Sequence, residues 1–169
     1  MDNQKVSVHA TRKFGRGVFA DRFIKKGELI AAFDGPIFDE DYEPWTRDMY
    51  NHAIQFGRAI WRDSKGMARL INHSCEPNCG IKALFKVVAM RDINSGEQIT
   101  WDYEMTEKNL HWKMKCKCGN KNCRGVIGNY SNMPLEVRKK YKGHISEWLT
   151  SPSTKAKTKI RPKLIKKSI

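Results

Sequence analysis

The chain has 169 residues and a formal net charge of +14, from 32 lysines and arginines against 18 acids. This length suits one domain, or one domain with an appendage, and a hydrophobic content of 40% is enough for a packed core, which excludes a wholly disordered chain. The sequence contains no apolar run of about 18 residues, and residues 1–5 lack the apolar stretch of a signal peptide, so we expect an intracellular protein with no membrane partner.

Short β-type segments separated by turn signals dominate the first hundred residues. The apolar runs and alternations that predict strands lie at residues 6–8, 17–20, 28–33, 53–56, 84–90 and 98–101. Turn-forming sequences separate them, for example Asp34–Pro36 and Asn94–Gly96. The pattern lacks alternating strand–helix–strand units and therefore predicts a mainly β fold of the β-rich α+β class.

One helix is predicted near the C-terminus, over residues 131–150. Pro134 favours a helix start, whereas Gly143 interrupts the pattern. The apolar face of this helix would consist of Tyr141, Ile145, Trp148 and Leu149.

Most of the excess positive charge also lies at this end of the chain. Residues 138–169 hold eleven basic residues and one acid, a net charge of +10, whereas residues 1–137 carry only +4. Residues 151–169 offer little to bury and are predicted to form a flexible basic tail. Such a tail favours non-specific contact with DNA, a nucleosome or another polyanion.

Five cysteines stand in two groups, Cys75 with Cys79 and Cys116 with Cys118 and Cys123. Disulfides are rare in intracellular proteins, and the C-x-C-x4-C spacing of the second group brings three thiolates to one centre. Structural zinc takes four ligands, so the sequence predicts one structural zinc ion whose fourth ligand is either Cys75 or Cys79. Unrelated free thiols in a basic loop are the alternative.

Gly15–Ala20 matches G-x-G-x-x-A, a phosphate-binding pattern of dinucleotide-binding folds. That use requires a helix to begin at the glycines, whereas Val18–Ala20 has the pattern of a strand. The other interpretation is a glycine turn that joins two strands, and the β-rich context favours it.

Two longer motifs are more specific. They are R-L-I-N-H-S-C-E-P-N at Arg69–Asn78 and G-E-Q-I-T-W-D-Y at Gly96–Tyr103. Here the sequence resembles the SET-domain protein lysine methyltransferases, whose signatures R-F-I-N-H-S-C-x-P-N and G-E-E-L-T-Y-D-Y occur in this order. The family's N-terminal G-x-G matches Gly15–Gly17, and its post-SET segment C-x-C-G-x4-C-R-G matches Cys116–Gly125. The resemblance covers roughly residues 5–130.

The resemblance implies a SET-domain fold of small curved sheets with a pseudoknot-like crossing, in which Asn72–Cys75 passes through a loop near Tyr103. A zinc-binding segment and the C-terminal helix would follow. The chain would divide into a SET domain (5–105), a post-SET segment (106–130), a helix (131–150) and a tail (151–169). The family's fourth zinc ligand lies in the N-H-S-C segment. This leaves Cys79 a free thiol and implies the ligand set Cys75, Cys116, Cys118 and Cys123.

The resemblance also implies a cofactor, S-adenosylmethionine. Six residues would bind it: Phe14, Gly15, Arg16, Gly17, Asn72 and His73. Tyr103 matches the family's essential tyrosine, whose hydroxyl would orient the substrate amine or interact with the transferred methyl group. Trp101 takes a position that is Tyr or Phe in most members and that controls the number of methyl groups added. We expect more than one methyl if the substrate channel is wide enough.

Further channel residues match the family less well. Phe33 stands at a position that is usually Tyr, and the counterpart of a further channel tyrosine is either Tyr50 or His52. Trp112 would close over the cofactor or pack beside the metal.

The predicted function is S-adenosylmethionine-dependent protein-lysine N-methylation, with a histone or another basic, chromatin-like tail as the substrate. One alternative is a zinc-stabilised module that binds nucleic acid or chromatin with little or no catalysis. Another is a SET-like domain that has lost catalysis, although the presence of Asn72, His73 and Tyr103 argues against it. The expected location is the nucleus or chromatin of a eukaryote or eukaryotic host, or the cytoplasm or nucleoid of a prokaryote.

Overall fold

Short strands make up most of the regular structure in residues 3–151, the part of the chain that the computed structural model describes. The strands are β1 (Val6–Ala10), β2 (Arg16–Ala20), β3 (Leu29–Ala32), β4 (Ile37–Asp39), β5 (Ala53–Gly57), β6 (Ile60–Asp63), β7 (Asn72–His73), β8 (Cys79–Lys82), β9 (Lys86–Ala89), β10 (Thr100–Trp101), β11 (Met114–Lys115) and β12 (Val126–Ile127). The α-helices are α1 (Arg47–His52), α2 (Leu135–Lys140) and α3 (Glu147–Thr150). Three 3-10 turns lie at Met67–Leu70, Tyr103–Met105 and Tyr130–Asn132.

The strands form five small sheets, which confirms the predicted fold class. β1 and β2 form an antiparallel hairpin, β3, β9 and β8 form one three-stranded sheet, and β4, β6 and β5 form another. β11 pairs with β12 around the cysteine-rich segment, and β7 pairs with β10. The antiparallel pairs β3–β9 and β5–β6 each contain a register shift, an irregularity of the kind that bends a strand.

The glycine motif lies in the β1–β2 hairpin. Gly15 has a φ of +69° in the turn, where Thr11 N–H donates to its carbonyl at 2.6 Å, and β2 begins directly afterwards at Arg16. A strand therefore follows the glycines, as the turn interpretation predicted. The dinucleotide-binding pattern is a coincidence of sequence.

The parallel pair of β7 and β10 joins the two long motifs. Asn72 lies opposite Thr100 and His73 lies opposite Trp101, and Ser74 N–H continues the pairing to the Trp101 carbonyl at 3.1 Å. The pair is only two residues long, so side chains reinforce it. Asn78 Nδ2 donates to the Gln98 carbonyl, and Asn78 Oδ1 accepts from Thr100 N–H, both at 2.9 Å. The first motif thus lies beside the second, next to Tyr103, while its passage through a loop stays a prediction.

A continuous hydrophobic core lies beneath these sheets. Its fully buried side chains include Ile24, Ile30, Ile71, Ile81, Ile93, Ile99, Met105 and Tyr141. Tyr141 links the C-terminal segment to the motif region, because its hydroxyl donates to the Cys75 carbonyl at 3.1 Å. The C-terminal segment is therefore packed as part of the same core.

The prediction of a single helix over residues 131–150 is wrong. α2 ends at Lys140 and α3 begins at Glu147, and Gly143 lies between them with a φ of +82°. A residue with positive φ leaves the right-handed helical region, and glycine takes that conformation without the steric cost that a side chain brings. The apolar residues of the predicted face are still buried or partly buried. They reach the core from the turn between α2 and α3 and from α3, and not from one face of a single helix.

Two further predictions concern the C-terminal tail and membrane association. The proposed tail beyond Ser151 lies outside the described residues. Among residues 3–151, no helix has both the length and the apolar character needed to cross a membrane.

Candidate active site and metal centre

Four cysteine sulfurs converge where the first long motif meets the cysteine-rich segment. Cys75 follows β7, whereas Cys116, Cys118 and Cys123 lie between β11 and β12, and the four Sγ atoms all lie within 4.8 Å of one another. The Sγ atoms of Cys75 and Cys116 are 3.7 Å apart. Tetrahedral zinc with bonds of about 2.3 Å places its sulfur ligands about 3.8 Å apart. The group therefore fits the predicted zinc ion.

The structure also separates Cys75 from Cys79. Cys79 lies in β8 opposite Ala89, is fully buried, and is not part of the convergent group. Burial raises the pKa of its thiol well above the usual range. Cys79 is thus a core residue, and the ligand set implied by the family resemblance agrees with the geometry.

Backbone N–H groups point at the sulfurs of this cluster. The donors are Cys118 N–H to Cys116 Sγ at 3.5 Å, Arg124 N–H to Cys75 Sγ at 3.4 Å and Gly125 N–H to Cys123 Sγ at 3.5 Å. Burial raises the pKa of Cys75 to about 11. For Cys118, burial also opposes ionisation, but hydrogen bonds from backbone groups and the neighbouring thiols lower its pKa to about 7. Bound zinc would hold all four as thiolates.

Tyr103 stands at the start of the 3-10 turn that follows β10. Asp102 caps this turn by accepting from Glu104 N–H at 3.2 Å, and the Tyr103 hydroxyl donates to the Ile71 carbonyl at 3.2 Å. Its ring contacts the rings of Trp101 and His73, with centroids 5.0 and 5.3 Å away. Burial raises the pKa of Tyr103 to about 12, so the phenol is protonated at neutral pH.

Tyr103 lines a cavity of about 500 Å³. Every residue proposed for the substrate channel also lines it: Trp101, Phe33, Tyr50 and His52. The rings of Phe33 and Trp101 meet edge to face at 5.4 Å and are buried, whereas Tyr50 is 67% exposed at the rim. The cavity thus combines buried aromatic rings with an exposed tyrosine.

Trp112 packs beside the cysteine cluster, which agrees with the second of its two predicted roles. It lines the large cavity, 6.4 Å from the ring of Tyr103, and it also packs against the cysteine cluster. Closure over a cofactor stays a prediction.

A second cavity, of about 220 Å³, lies where the loop of the β1–β2 hairpin approaches β7. Phe14, Asn72 and His73, three of the predicted cofactor residues, line it. Gly17 is close to its wall, since a Cβ there would lie 2.6 Å from Gln98 Nε2 and 2.8 Å from Asn72 Nδ2. Asn72 Nδ2 donates to the Arg16 carbonyl at 2.9 Å. The hairpin and the first motif therefore meet at this cavity.

The side chain of His73 links the sites. Its Nδ1 accepts from Tyr103 N–H at 3.4 Å, and its Nε2 lies 3.5 Å from Cys75 Sγ. Burial lowers the pKa of His73 to about 4, although nearby Asp102 favours the charged form. A neutral imidazole suits both contacts, because it accepts at one nitrogen and donates at the other.

The sequence patterns did not identify several residues of the site. Gln98 lines the smaller cavity, and its buried Nε2 has no hydrogen-bond partner among the described residues. Arg124 forms a buried ion pair with Asp102. Both residues lie inside quoted motifs, but a motif does not tell which side chains face a cavity or each other. Trp45 and Trp61 complete the aromatic wall of the large cavity from outside the motifs.

These features define a β-rich domain in which a cluster of four cysteines stands beside a tyrosine-lined cavity. A sequence profile of the SET domain matches residues 15–104, which is more than half of the chain. The chain belongs to the SET-domain family.

Sequence similarity to three named proteins supports this family assignment. Histone-lysine N-methyltransferase ASHR3 of Arabidopsis thaliana is 30% identical over 148 residues, which cover 78% of this chain and 29% of the relative. The human "Histone-lysine N-methyltransferase, H3 lysine-36 specific" is 30% identical over 156 residues, covering 82% of this chain and 6% of the relative. The "Variant-silencing SET domain-containing protein" of Plasmodium falciparum is 35% identical over 139 residues, or 70% of this chain and 5% of the relative. The chain thus spans less than a third of the length of each.

Solved structures support the fold. The crystal structure of KRYPTONITE in complex with mCHG DNA and SAH matches with a TM-score of 0.59 and 23% identity, over 72% of this chain and 28% of that chain. A second KRYPTONITE structure, with mCHH DNA, an H3(1-15) peptide and SAH, matches with a TM-score of 0.58 and 24% identity, over 72% of this chain and 29% of that chain.

Proposed function

We propose that this protein is an S-adenosylmethionine-dependent protein-lysine N-methyltransferase whose substrate is a histone or another basic, chromatin-like protein. Membership of the SET family and similarity to named histone-lysine N-methyltransferases support the reaction class. One structural observation carries the assignment to this chain. Tyr103 lines the large cavity, while its backbone N–H is bonded to His73, which lines the smaller cavity. Two cavities that this hydrogen bond links suit a transfer between two bound reactants.

The smaller cavity would hold the cofactor, which supplies an electrophilic methyl group on a sulfonium when bound. Asn72 and Phe14 line this cavity, and the unpartnered Gln98 Nε2 offers a donor that a polar ligand would satisfy. A buried donor without a partner is costly, so its presence in a cavity points to a ligand. The residues present therefore fit a small polar cofactor.

The large cavity would hold the lysine side chain of the substrate. Its aromatic inner wall, formed by Phe33 and Trp101, accommodates the aliphatic part of a lysine and excludes water. Only the neutral amine is a nucleophile, and neutralising an ordinary lysine at pH 7 costs about 4.6 kcal/mol. An apolar wall reduces that cost because it disfavours the ammonium form.

Tyr103 would orient the reacting amine. Its hydroxyl is protonated and its position is restrained by the bond to the Ile71 carbonyl, so the oxygen presents a fixed dipole at the cavity wall. Displacement at a methyl carbon requires an in-line approach, and orientation of this kind is a large part of the rate enhancement. Tyr103→Phe removes the dipole and keeps the ring.

Trp101 would influence how many methyl groups are added. Its indole is buried between the rings of Phe33 and Tyr103, at 5.4 and 5.0 Å. An indole at this depth lacks the hydroxyl that a tyrosine would offer to a water molecule. We therefore expect a product with more than one methyl group, which mass spectrometry of the methylated peptide measures.

The cysteine cluster would hold one structural zinc ion. Its role would be to cross-link Cys75, beside the catalytic turn, to the segment that carries Cys116 and Trp112. The four ligands leave no open position, so the ion would take no part in the transfer.

The basic C-terminal region would place the enzyme on chromatin, in a nucleus or on host chromatin. The net charge of +10 on residues 138–169 supports this, and three of these basic residues, Arg138, Lys139 and Lys140, lie in the last turn of α2. Deletion of residues 152–169 should weaken nucleosome binding more than it lowers turnover of a short peptide. Equal losses would contradict a separate role for the tail.

The test of the function uses the full chain with isotopically labelled S-adenosylmethionine and a panel of histones, ribosomal proteins and DNA-bound proteins. Label on a defined lysine is the expected result, and Tyr103→Phe should lose most of the turnover while cofactor binding persists. Tyr42→Phe is the matched control, because Tyr42 is an exposed tyrosine that contacts Phe38 and does not line the large cavity. Salt-sensitive DNA binding without cofactor binding would instead favour the non-catalytic binding module.

A further inference from the structure

Two buried acids flank Tyr103. Asp102 is fully buried and the side chain of Glu104 is 2% exposed, and both lie on the short turn that presents the phenol. Two carboxylates in one buried turn repel each other, and each loses its hydration. Such a pair is stable only when a cation or several donors compensate it.

Arg124 supplies that compensation. Its Nη2 lies 2.8 Å from both carboxylate oxygens of Asp102 and 3.5 Å from Glu104 Oε2. Backbone donors also reach each acid: Gly128 N–H donates to Glu104 Oε1 at 2.7 Å, and Glu104 N–H donates to Asp102 Oδ1 at 3.2 Å. Among the described residues, Arg124 is the only lysine or arginine within ion-pair distance of either acid. One guanidinium thus contacts both of the acids that flank Tyr103.

The backbone of the same arginine belongs to the cysteine cluster. Arg124 follows Cys123 directly, and its N–H donates to Cys75 Sγ at 3.4 Å. The next residue, Gly125, accepts from Cys116 N–H at 2.7 Å. The cluster therefore restrains the main chain of Arg124, while the acids beside Tyr103 restrain its side chain.

We propose that Arg124 is a positioning residue for the reaction, which fixes Tyr103 by clamping Asp102 and Glu104 from a main chain that the cysteine cluster holds in place. The kinetic consequence rests on the proposed function. The clamp itself is a property of the fold. A displacement of the phenol of about 1 Å is enough to cost about a hundredfold in rate, since orientation governs the transfer.

Arg124→Lys is the decisive substitution. A lysine keeps the positive charge, but its ammonium group ends one bond short of the position that Nη2 occupies, and it cannot contact both acids in the same way. We expect kcat to fall by about tenfold to a hundredfold, with the KM for peptide and the cofactor Kd within about twofold of wild type. Arg138→Lys is the matched control, because Arg138 also bonds through its guanidinium, to the Met133 and Ser131 carbonyls, outside the catalytic turn.

A double-mutant cycle with Tyr103→Phe separates positioning from general stabilisation. If Arg124 acts through the phenol, Arg124→Lys should lower kcat much less in the Tyr103→Phe background than in wild type. Zinc content, measured by metal analysis, should stay near one ion per chain. Full additivity of the two substitutions would overturn the proposal. A parallel loss of zinc, cofactor affinity and thermal stability would overturn it as well.

A readout that needs no turnover keeps the inference separate from the proposed function. In protein with ring-labelled tyrosine, Tyr103→Phe assigns the NMR signal of Tyr103. That signal should shift or broaden in Arg124→Lys and stay unchanged in Arg138→Lys. If wild type transfers no methyl group, the proposed function fails while this signal still reports the clamp. An unchanged Tyr103 signal in Arg124→Lys would refute the clamp.

Discussion

Gly17→Ala tests whether the hairpin and the first motif build one ligand-binding wall. Gly17 does not have a positive φ, so alanine is compatible with its backbone and the effect of the substitution is steric. The added Cβ would lie 2.6 Å from Gln98 Nε2, 2.8 Å from Asn72 Nδ2 and 2.9 Å from Thr11 Cγ2. All three contacts are too short, so side chains must move.

The magnitude follows from what each neighbour would lose. Gln98 and Thr11 present the ends of side chains and can rotate, whereas Asn72 is held by its bond to the Arg16 carbonyl at 2.9 Å. Breaking that bond costs about 1 kcal/mol and overpacking costs about 1 to 3 kcal/mol, so the free energy of unfolding should fall by about 2 to 4 kcal/mol. Because both displaced amides line the smaller cavity, cofactor affinity should fall by about tenfold to a hundredfold.

Gly57→Ala is the control for this experiment. Gly57 lies in β5, also without a positive φ, and its added Cβ would meet Ile60 at an ordinary 3.6 Å. Denaturant unfolding measures stability and isothermal titration calorimetry measures the Kd for S-adenosylmethionine. If Gly17→Ala matched Gly57→Ala in both measurements, the wall would not be where the structure places it.

Three further predictions address the metal, the pH dependence and the unpartnered donor. Cys75→Ser should lose the bound zinc and Cys79→Ser should retain it, measured as the metal content of freshly purified reduced protein. If Cys75→Ser retained its zinc, Cys75 would be excluded as a ligand. Activity should rise between pH 7 and pH 9 as the substrate amine loses its proton, with no decline from Tyr103, whose raised pKa of about 12 keeps the phenol protonated; a flat profile with chemistry rate-limiting would contradict this. Gln98→Ala should weaken cofactor binding by about tenfold with little change in stability, whereas unchanged affinity would show that Nε2 does not face the ligand.

Patterns local in the chain were predictable. The strand-forming runs, the glycine turn before β2 and the convergence of Cys116, Cys118 and Cys123 depend on neighbouring residues, and the structure contains all of them. The predicted C-terminal helix failed because periodicity records which residues are apolar, while Gly143 determines whether the backbone between them can stay helical.

Pairings distant in the chain were not predictable from residue patterns alone. Spacing left Cys75 and Cys79 equally suitable as the fourth ligand, and the family resemblance chose between them. The structure supplies the physical reason: the β7–β10 pair brings Cys75 to the cluster, while β8 buries Cys79 in the core. A two-residue strand has too little intrinsic preference to be recognised in isolation.

The sequence by itself determined the family, the set of reactive residue types and the concentration of positive charge at the C-terminal end, because each is written in contiguous residues. The tertiary structure decided which of those residues share a cavity. It placed Gln98 against the hairpin and joined Arg124 to the acids on both sides of Tyr103. These contacts bridge segments 20 or more residues apart, and only the packing of the small sheets against one core brings such segments together.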